Sequence, residues 1–209
     1  MYKKKPFFIV FEGVEGCGKS YQSKKLYNKL KKKKIDTILT REPGGTKSSE
    51  LIRNLILKDY FAKDSKEKFD KYTDTLLYLA ARNEHIKNKI KPALLKKKVV
   101  ICDRFIDSTI AYQVYGKKVE LNFIENIHKK ILRGIKPNIV FILKVSKQTS
   151  RKRLSLSKLM NPMEERPLVR VAMSLEPMQI FLPQLYPDTP FLTGQEGGYF
   201  HREMLRLKF

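Results

Sequence analysis

The chain has 209 residues, 42% of them hydrophobic, with 44 Lys+Arg against 21 Asp+Glu and a net charge of +23. That length suits one α/β domain with a buried core, and every apolar run is too short to cross a bilayer. Met1–Pro6 is basic and Glu12 soon interrupts the apolar run that follows, so no secretory leader is expected. Two cysteines without metal-ligand spacing point to a reduced, cytoplasmic setting.

In chain order, the first β-rich run is Phe7–Phe11, and it leads into Gly13-Val14-Glu15-Gly16-Cys17-Gly18-Lys19-Ser20 and a helix-compatible stretch, Ser20–Lys33. This is the full G-x-x-x-x-G-K-S phosphate loop between a strand and a helix. Its glycines turn successive N–H groups toward a phosphate, the helix start adds positive potential, Lys19 reaches the β/γ oxygens, and Ser20 can hold Mg2+. The competing explanation is a Gly-rich turn joining a strand to a helix, and the agreement of strand, loop and helix signals favours the phosphate loop over it. A second strand, Thr37–Thr40, runs into Thr40-Arg41-Glu42-Pro43-Gly44-Gly45-Thr46, at the strand end where open α/β sheets bind ligands; there Arg41 can face an anion.

Helices are expected at Ser48–Leu57, Asp70–Asn88 and Pro92–Lys96. In the second of these Leu76, Leu77, Leu79 and Ala80 supply apolar faces, and Tyr78 and Arg82 stand four residues apart on one side. Taken alone, that pair reads first as a core tyrosine and a surface arginine, and second as a base-reading pair. The strand Val99–Cys102 delivers Asp103-Arg104-Phe105-Ile106-Asp107-Ser108-Thr109. Here an acid is placed to hold water on Mg2+ and an arginine to neutralise a transferring phosphoryl group, or the two form a structural ion pair. A helix at Leu121–Arg133 and a strand at Ile139–Val145 complete a βαβ rhythm, which predicts a parallel sheet with helices on both faces. The lysine runs Lys3–Lys5, Lys31–Lys34 and Lys96–Lys98 fall at helix ends and before strands. Solvation and helix-dipole complementarity explain them there, so no specific nucleic-acid partner is expected.

Four ordered blocks resemble bacterial thymidylate kinases: Phe11–Ser20, Thr40–Thr46 with Glu50-Leu51-Ile52-Arg53, Leu77-Tyr78-Leu79-Ala80-Ala81-Arg82, and Asp103–Gln113. The resemblance runs over about residues 6–153 and implies the three-layer fold of P-loop NTPases. It also implies transfer of the ATP γ-phosphoryl to dTMP with Mg2+ on Ser20 and Asp103, on the way to dTTP, and a homodimer. By the same resemblance, residues 13–20 hold ATP; Lys19, Asp103, Arg104 and Arg153 serve catalysis; and Arg41 and Arg104 grip the acceptor phosphate. Glu15 meets the 3′-hydroxyl, Tyr112 crowds the 2′ position and Tyr78 stacks on thymine. Pro43, Arg82, Ser108, Thr109 and Gln113 line the same substrate. Two departures stand in the last block's neighbourhood: Val114 where the family often has glycine, and Lys117 where it has arginine, a stiffer loop and a weaker anion contact. With Gly16 and Cys17 in the phosphate loop, the chain resembles the branch whose catalytic arginines come from a lid after the fourth strand. Arg151 and Arg153 stand near that point, and Arg166 further on.

The last 56 residues break the pattern. Residues 154–209 carry six basic and six acidic side chains, five of the six methionines and six of the ten prolines, so the entire positive charge lies before them. Proline at that density opposes long helices. This stretch reads as a shifted frame or a joined sequence appended to a single kinase domain. Such a tail could leave a nucleotide-binding protein with impaired catalysis; a kinase for another nucleoside monophosphate is the other alternative. The strand Ile139–Val145 could lack an outer neighbour, with Phe181-Leu182 or Phe191-Leu192-Thr193 as substitutes.

Overall fold

The computed structural model of the chain describes residues 5–57, 68–160, 191–193 and 199–201. Its elements are β1 (Phe7–Gly13), α1 (Lys19–Lys32), β2 (Thr37–Arg41), α2 (Lys47–Leu57), α3 (Lys71–His85), α4 (Lys91–Leu95), β3 (Val99–Asp103), α5 (Ile106–Thr109), α6 (Leu121–Ile131), β4 (Ile139–Leu143), α7 (Lys147–Met160), β5 (Phe191–Thr193) and β6 (Tyr199–His201). Four strands pair in the order β2-β3-β1-β4, all parallel, with Phe11 opposite both Asp103 and Phe141.

The strands are nearly continuous apolar runs because both sheet faces are covered. Side chains alternate between two cores. Ile9, Phe11, Val99, Ile101, Phe141 and Leu143 pack with Leu30 of α1 on one face. Phe8, Val10, Val100 and Cys102 pack on the other with Ile86, Ile90 and Ala93, around the junction of α3 and α4. That parity makes the three layers expected from the sequence. A smaller cluster of Leu79, Val119 and Ile124, flanked by Val114, joins α3 to α6.

The helices differ from expectation in three places. α3 starts one residue after Asp70, whose side chain accepts from the Tyr72 N–H at 2.8 Å as an N-cap, and it does not stop at Asn88. Residues Ile86–Ile90 form a wider, π-type turn that feeds directly into α4, with Pro92 in the first turn of α4. Residues 106–116, read from sequence only as a motif, are α5 running into a second wide turn, Ile110–Gly116. α7 was not anticipated at all. In α3 the inward line is Thr75, Leu79 and Arg82, so Leu76 and Ala80 point outward; Leu76 is 46% exposed.

The lysine runs lie at the amino edge of the sheet, Lys5 before β1, Lys31–Lys34 before β2 and Lys96–Lys98 before β3. Lys29, Lys31 and Lys32 sit in the last turn of α1, where they complement its negative end, and Lys98 pairs with Asp36 at 3.1 Å. Phe191-Leu192-Thr193 pairs antiparallel with Tyr199–His201 rather than adding to β4 as a hydrogen-bonded strand; β6 lies alongside β4. Phe181-Leu182 and Arg166 lie outside the described residues. No described helix is long and apolar enough to cross a membrane.

Candidate active site

The carboxyl ends of β1, β2 and β3 converge on one edge. At the end of β1, Gly13 has φ +141°, and a Cβ there would run into the Leu143 carbonyl, so only glycine lets the loop leave the sheet beside β4. Residues 14–18 then wrap back to α1, whose first residue is Lys19. Lys19 is buried and donates to the carbonyls of Gly13 at 3.0 Å and Val14 at 2.7 Å, with Cys17 Sγ at 3.7 Å. Burial lowers its pKa, and Asp103 and Glu12 are among the groups that oppose this. Val14 and Cys17 are buried beneath the loop, while Ser20 is exposed on its rim.

Ser20 Oγ donates to Asp103 Oδ2 at 2.6 Å, and Asp103 Oδ1 is buried without a hydrogen-bond partner among the described residues. A hydroxyl joined to a carboxylate with an oxygen to spare, next to a phosphate loop, is a donor set that fits Mg2+, which takes few protein ligands and keeps water and phosphate for the rest.

Arg104, the next residue, adopts φ +72°, unusual for a residue with a Cβ. Its Nη1 reaches the Gly13 carbonyl at 3.3 Å, Ser108 Oγ at 3.1 Å and the Tyr112 hydroxyl at 3.2 Å, and its guanidinium lies over the Tyr112 ring. Glu15 approaches it at 3.8 Å. Below Arg104 sits Glu12, fully buried, accepting from Phe105 N–H and Ser108 Oγ, each at 2.7 Å. Burial raises the Glu12 pKa, while the Ser108 hydrogen bond and the Arg104 charge pull it back. Glu12 was not singled out from the sequence; its only signal was a carboxylate closing an apolar strand.

Beyond Arg104 lies a second set. Arg41 is exposed and pairs with Glu50 at 3.5 Å. Arg53 donates to the Pro43 carbonyl at 2.7 Å and lies within electrostatic reach of Arg41, Tyr78 and Arg104. It too was passed over, although it belongs to the block Glu50–Arg53. Tyr78 neighbours Asp74, Arg104, Tyr112 and Arg53, and burial first, then Asp74, pushes its hydroxyl pKa up. Thr109 and Gln113 are buried, and Gln113 Nε2 has no hydrogen-bond partner among the described residues. Lys117 forms an ion pair with Asp74 at 2.7 Å, which gives the lysine at this departure a local partner.

Arg82 is not on the open side of α3. It is 4% exposed, with Nε donating to Glu42 Oε2, Nη1 against His128 Nε2 and Nη2 donating to the Phe105 carbonyl, each at 2.7 Å. Glu42 Oε1 is 3.0 Å from His85 Nδ1, and His85 Nε2 is 2.7 Å from Thr40 Oγ1. A Cβ on Gly45, at φ +94°, would collide with Thr40 Oγ1 and His85 Nε2, which accounts for glycine there. Arg82 therefore belongs to a buried network and is not a surface arginine.

From the far side, α7 leans on the phosphate loop. Ser150 Oγ donates to the Glu15 carbonyl, and Arg153 Nη1 lies 3.3 Å from the Gly16 carbonyl and 3.5 Å from that of Cys17. Arg151 is exposed on the same helix.

A family model described as thymidylate kinase matches residues 11–173, running past Arg153 and stopping short of the remaining tail. The chain is 39% identical over 150 residues to a thymidylate kinase of Pelotomaculum thermopropionicum, covering 72% of this chain and 67% of that one. It is 46% identical over 143 residues to one from a Wolbachia of Brugia malayi, covering 68% and 65%. A crystal structure of thymidylate kinase from Ehrlichia chaffeensis superposes with a TM-score of 0.61 at 38% identity, over 76% of this chain and 89% of that one. The matched part thus spans about two thirds of the length of these curated relatives. The parallel sheet and phosphate loop are those of the P-loop NTPase fold.

The buried network has an acid signature. His128 is held to a pKa of about 3 by burial and by the Arg82 charge, below its usual 6.5. The unfolded chain therefore binds a proton between those values that the folded chain refuses, and stability drains as pH falls from 6.5 toward 3. Glu42, depressed below 4.5, loses its stabilisation on further acidification, whereas Glu12, raised, acts in the opposite direction. Comparing wild type with His128→Gln by urea denaturation isolates the histidine: the wild-type advantage should shrink by about 1.4 kcal/mol per pH unit below 6.5. A constant gap over that range would contradict a neutral His128.

Proposed function

The chain belongs to the thymidylate kinase family, and we propose that it transfers the γ-phosphoryl group of ATP to the 5′-phosphate of dTMP, giving dTDP and ADP in the supply of dTTP. The observation that carries this reading is Arg104, whose Nη1 touches the phosphate loop at Gly13 and the acceptor side at Ser108 and Tyr112. A cation spanning both sites is what two anions need in order to approach each other.

In this reading the N–H groups of residues 13–20 and the start of α1 cradle the ATP phosphates. Lys19 exchanges the Gly13 and Val14 carbonyls for phosphate oxygens. Ser20 and Asp103 would hold Mg2+, which when bound neutralises charge on the phosphates. Arg41, Arg53 and Arg104 converge on the acceptor phosphate, with Pro43 fixed by Arg53. Tyr78 stacks on the base, and the spare Nε2–H of Gln113 meets a base acceptor, with Thr109 beside it. Glu15 meets the 3′-hydroxyl and Tyr112 crowds the 2′ position, which favours deoxyribose. Arg153 is poised over the phosphate loop to neutralise the transferring group. The acceptor is already a phosphate dianion near neutral pH, so positioning and charge neutralisation suffice without a general base.

A cytoplasmic setting is part of this proposal, in keeping with two buried free thiols, Cys17 and Cys102. So is a homodimer: Leu51 and Leu55 of α2 and Leu76 of α3 are exposed apolar side chains on two helices that pack together, at 70%, 41% and 46%. The tail after about Arg153 is proposed to derive from a shifted frame or a joined sequence, its even charge and dense prolines being the support.

Coupled ADP release with ATP and Mg2+ should depend on dTMP, respond weakly to dUMP, and stay at background with UMP or no acceptor. Lys19→Ala should lower kcat by roughly 100-fold or more. Turnover with UMP equal to that with dTMP would sink the assignment, and ATP binding without turnover would place a defect in the tail. Sedimentation should give a dimer that Leu51→Glu/Leu55→Glu converts to monomer; a monomeric wild type refutes the interface. Sequencing the parent DNA across codons 150–175 should find a frame change or junction, and an intact gene encoding the same tail would dismiss that origin.

A further inference from the structure

The Arg82 network contains one member that comes from outside the acceptor side itself. Thr40 and Glu42 follow or end β2, Arg82 and His85 belong to α3, and Phe105 follows β3, all elements that carry acceptor-side residues. His128 is on α6, which contributes none of those residues, yet its Nε2 lies 2.7 Å from Arg82 Nη1 and its side chain is buried.

The donor pattern assigns the protons. Arg82 has only N–H donors, so His128 Nε2 must be the acceptor. Glu42 accepts from Arg82 Nε and lies 3.0 Å from His85 Nδ1, and His85 Nε2 is 2.7 Å from the Thr40 hydroxyl. One carboxylate and one guanidinium then face each other, with a neutral His128 beside the guanidinium. A guanidinium has five N–H groups. Glu42, His128 and the Phe105 carbonyl take one each, from three different nitrogens, and its face lies over the Phe105 ring. Held at Nε, Nη1 and Nη2 and stacked on one face, it cannot swivel, and the direction of its two remaining N–H groups is fixed.

We propose that His128 is a positioning residue of the acceptor site, one that accepts a hydrogen bond from Arg82 and thereby fixes how the Arg82 guanidinium meets the acceptor base. This rests on the dTMP kinase reading. It makes α6 a determinant of acceptor affinity from behind the pocket, without contact to the substrate. Removing the acceptor atom leaves a buried, charged N–H unsatisfied and frees the guanidinium to turn toward whatever acceptor remains.

The test compares wild type with His128→Leu, which keeps bulk and loses the acceptor, and His128→Gln, whose amide oxygen can stand where Nε2 stands. KM for dTMP, KM for ATP and kcat are measured at saturating co-substrate, with dTMP affinity measured separately by calorimetry. His128→Leu should raise the dTMP KM and weaken dTMP binding by about tenfold while leaving the ATP KM within about twofold, and His128→Gln should restore most of the loss. Where the leucine variant does not fold, His128→Asn replaces it, since its shorter amide reaches only the Nδ1 position and should fall well short of glutamine. A dTMP KM unchanged by Leu or Asn, an equal rise in both KM values, or a glutamine variant no better than leucine would each overturn the role. A folded wild type that neither binds nor phosphorylates dTMP would instead overturn the kinase reading, and this inference with it.

Discussion

The pairing of Glu42 with Arg82, at 2.7 Å and almost fully out of solvent, is the interaction on which the segments around Arg41, Tyr78 and Arg104 depend. Two charges taken out of water stabilise a fold little by themselves, but each is costly to leave alone, so the pair permits only arrangements in which both are satisfied. Here those arrangements require four segments at once: the end of β2, the last turn of α3, the turn after β3 and the face of α6. Arg41, Tyr78 and Arg104 are neighbours in sequence, or helix neighbours, of residues in that pair's hydrogen-bonding circle. The positions of Arg41 and Arg104 are thus inherited from a buried assembly around the Glu42–Arg82 pair.

A parallel arrangement operates one strand over. Glu12 is buried beneath Arg104 and holds Phe105 and Ser108 by their N–H and hydroxyl groups. Arg104 in turn is surrounded by Ser108, Tyr112, Glu15 and the Gly13 carbonyl. The same logic recurs: an anion with no access to ligand fixes the backbone from which a ligand-facing cation extends. Lys19 follows it in a looser form, resting on the carbonyls of the very loop it serves. In the proposed kinase reading, an arginine held in this way is already oriented before charge develops on the phosphates, the condition for electrostatic catalysis.

Much of this was legible in the sequence, and the reasons for the rest are physical. The phosphate loop and the strand-ending motifs are local, with spacing that carries its own chemistry, and the strands stand out because double-sided burial makes them continuously apolar. The roles of Glu12, Glu42, His85 and His128 are not local. Each reads as an ordinary charged or polar residue until folding brings residues 12 and 108, or 82 and 128, together. Arg82 was visible as a ligand-side candidate, but its commitment to Glu42 and His128 was not. Which of Leu76, Leu77, Leu79 and Ala80 turn inward was not legible, because a mostly apolar stretch of helix hides its buried face. The helix at Lys147–Met160 was missed for the opposite reason: it is largely polar, with little apolar periodicity to announce it.

The strand order also governs how the molecule is made. The strand that carries the phosphate loop leaves the ribosome before both of its neighbours in the sheet, Val99–Asp103 and Ile139–Leu143. Until the second of these has been synthesised, Phe7–Gly13 has at least one open hydrogen-bonding edge. A nascent chain therefore carries its nucleotide-binding motif for most of translation in a form that cannot close, exposed to self-association and to chaperones. The element most recognisable in the sequence is in this sense among the last to be secured in the fold, and any lesion that removed β4 would cost the cell a soluble protein before it cost it an active one.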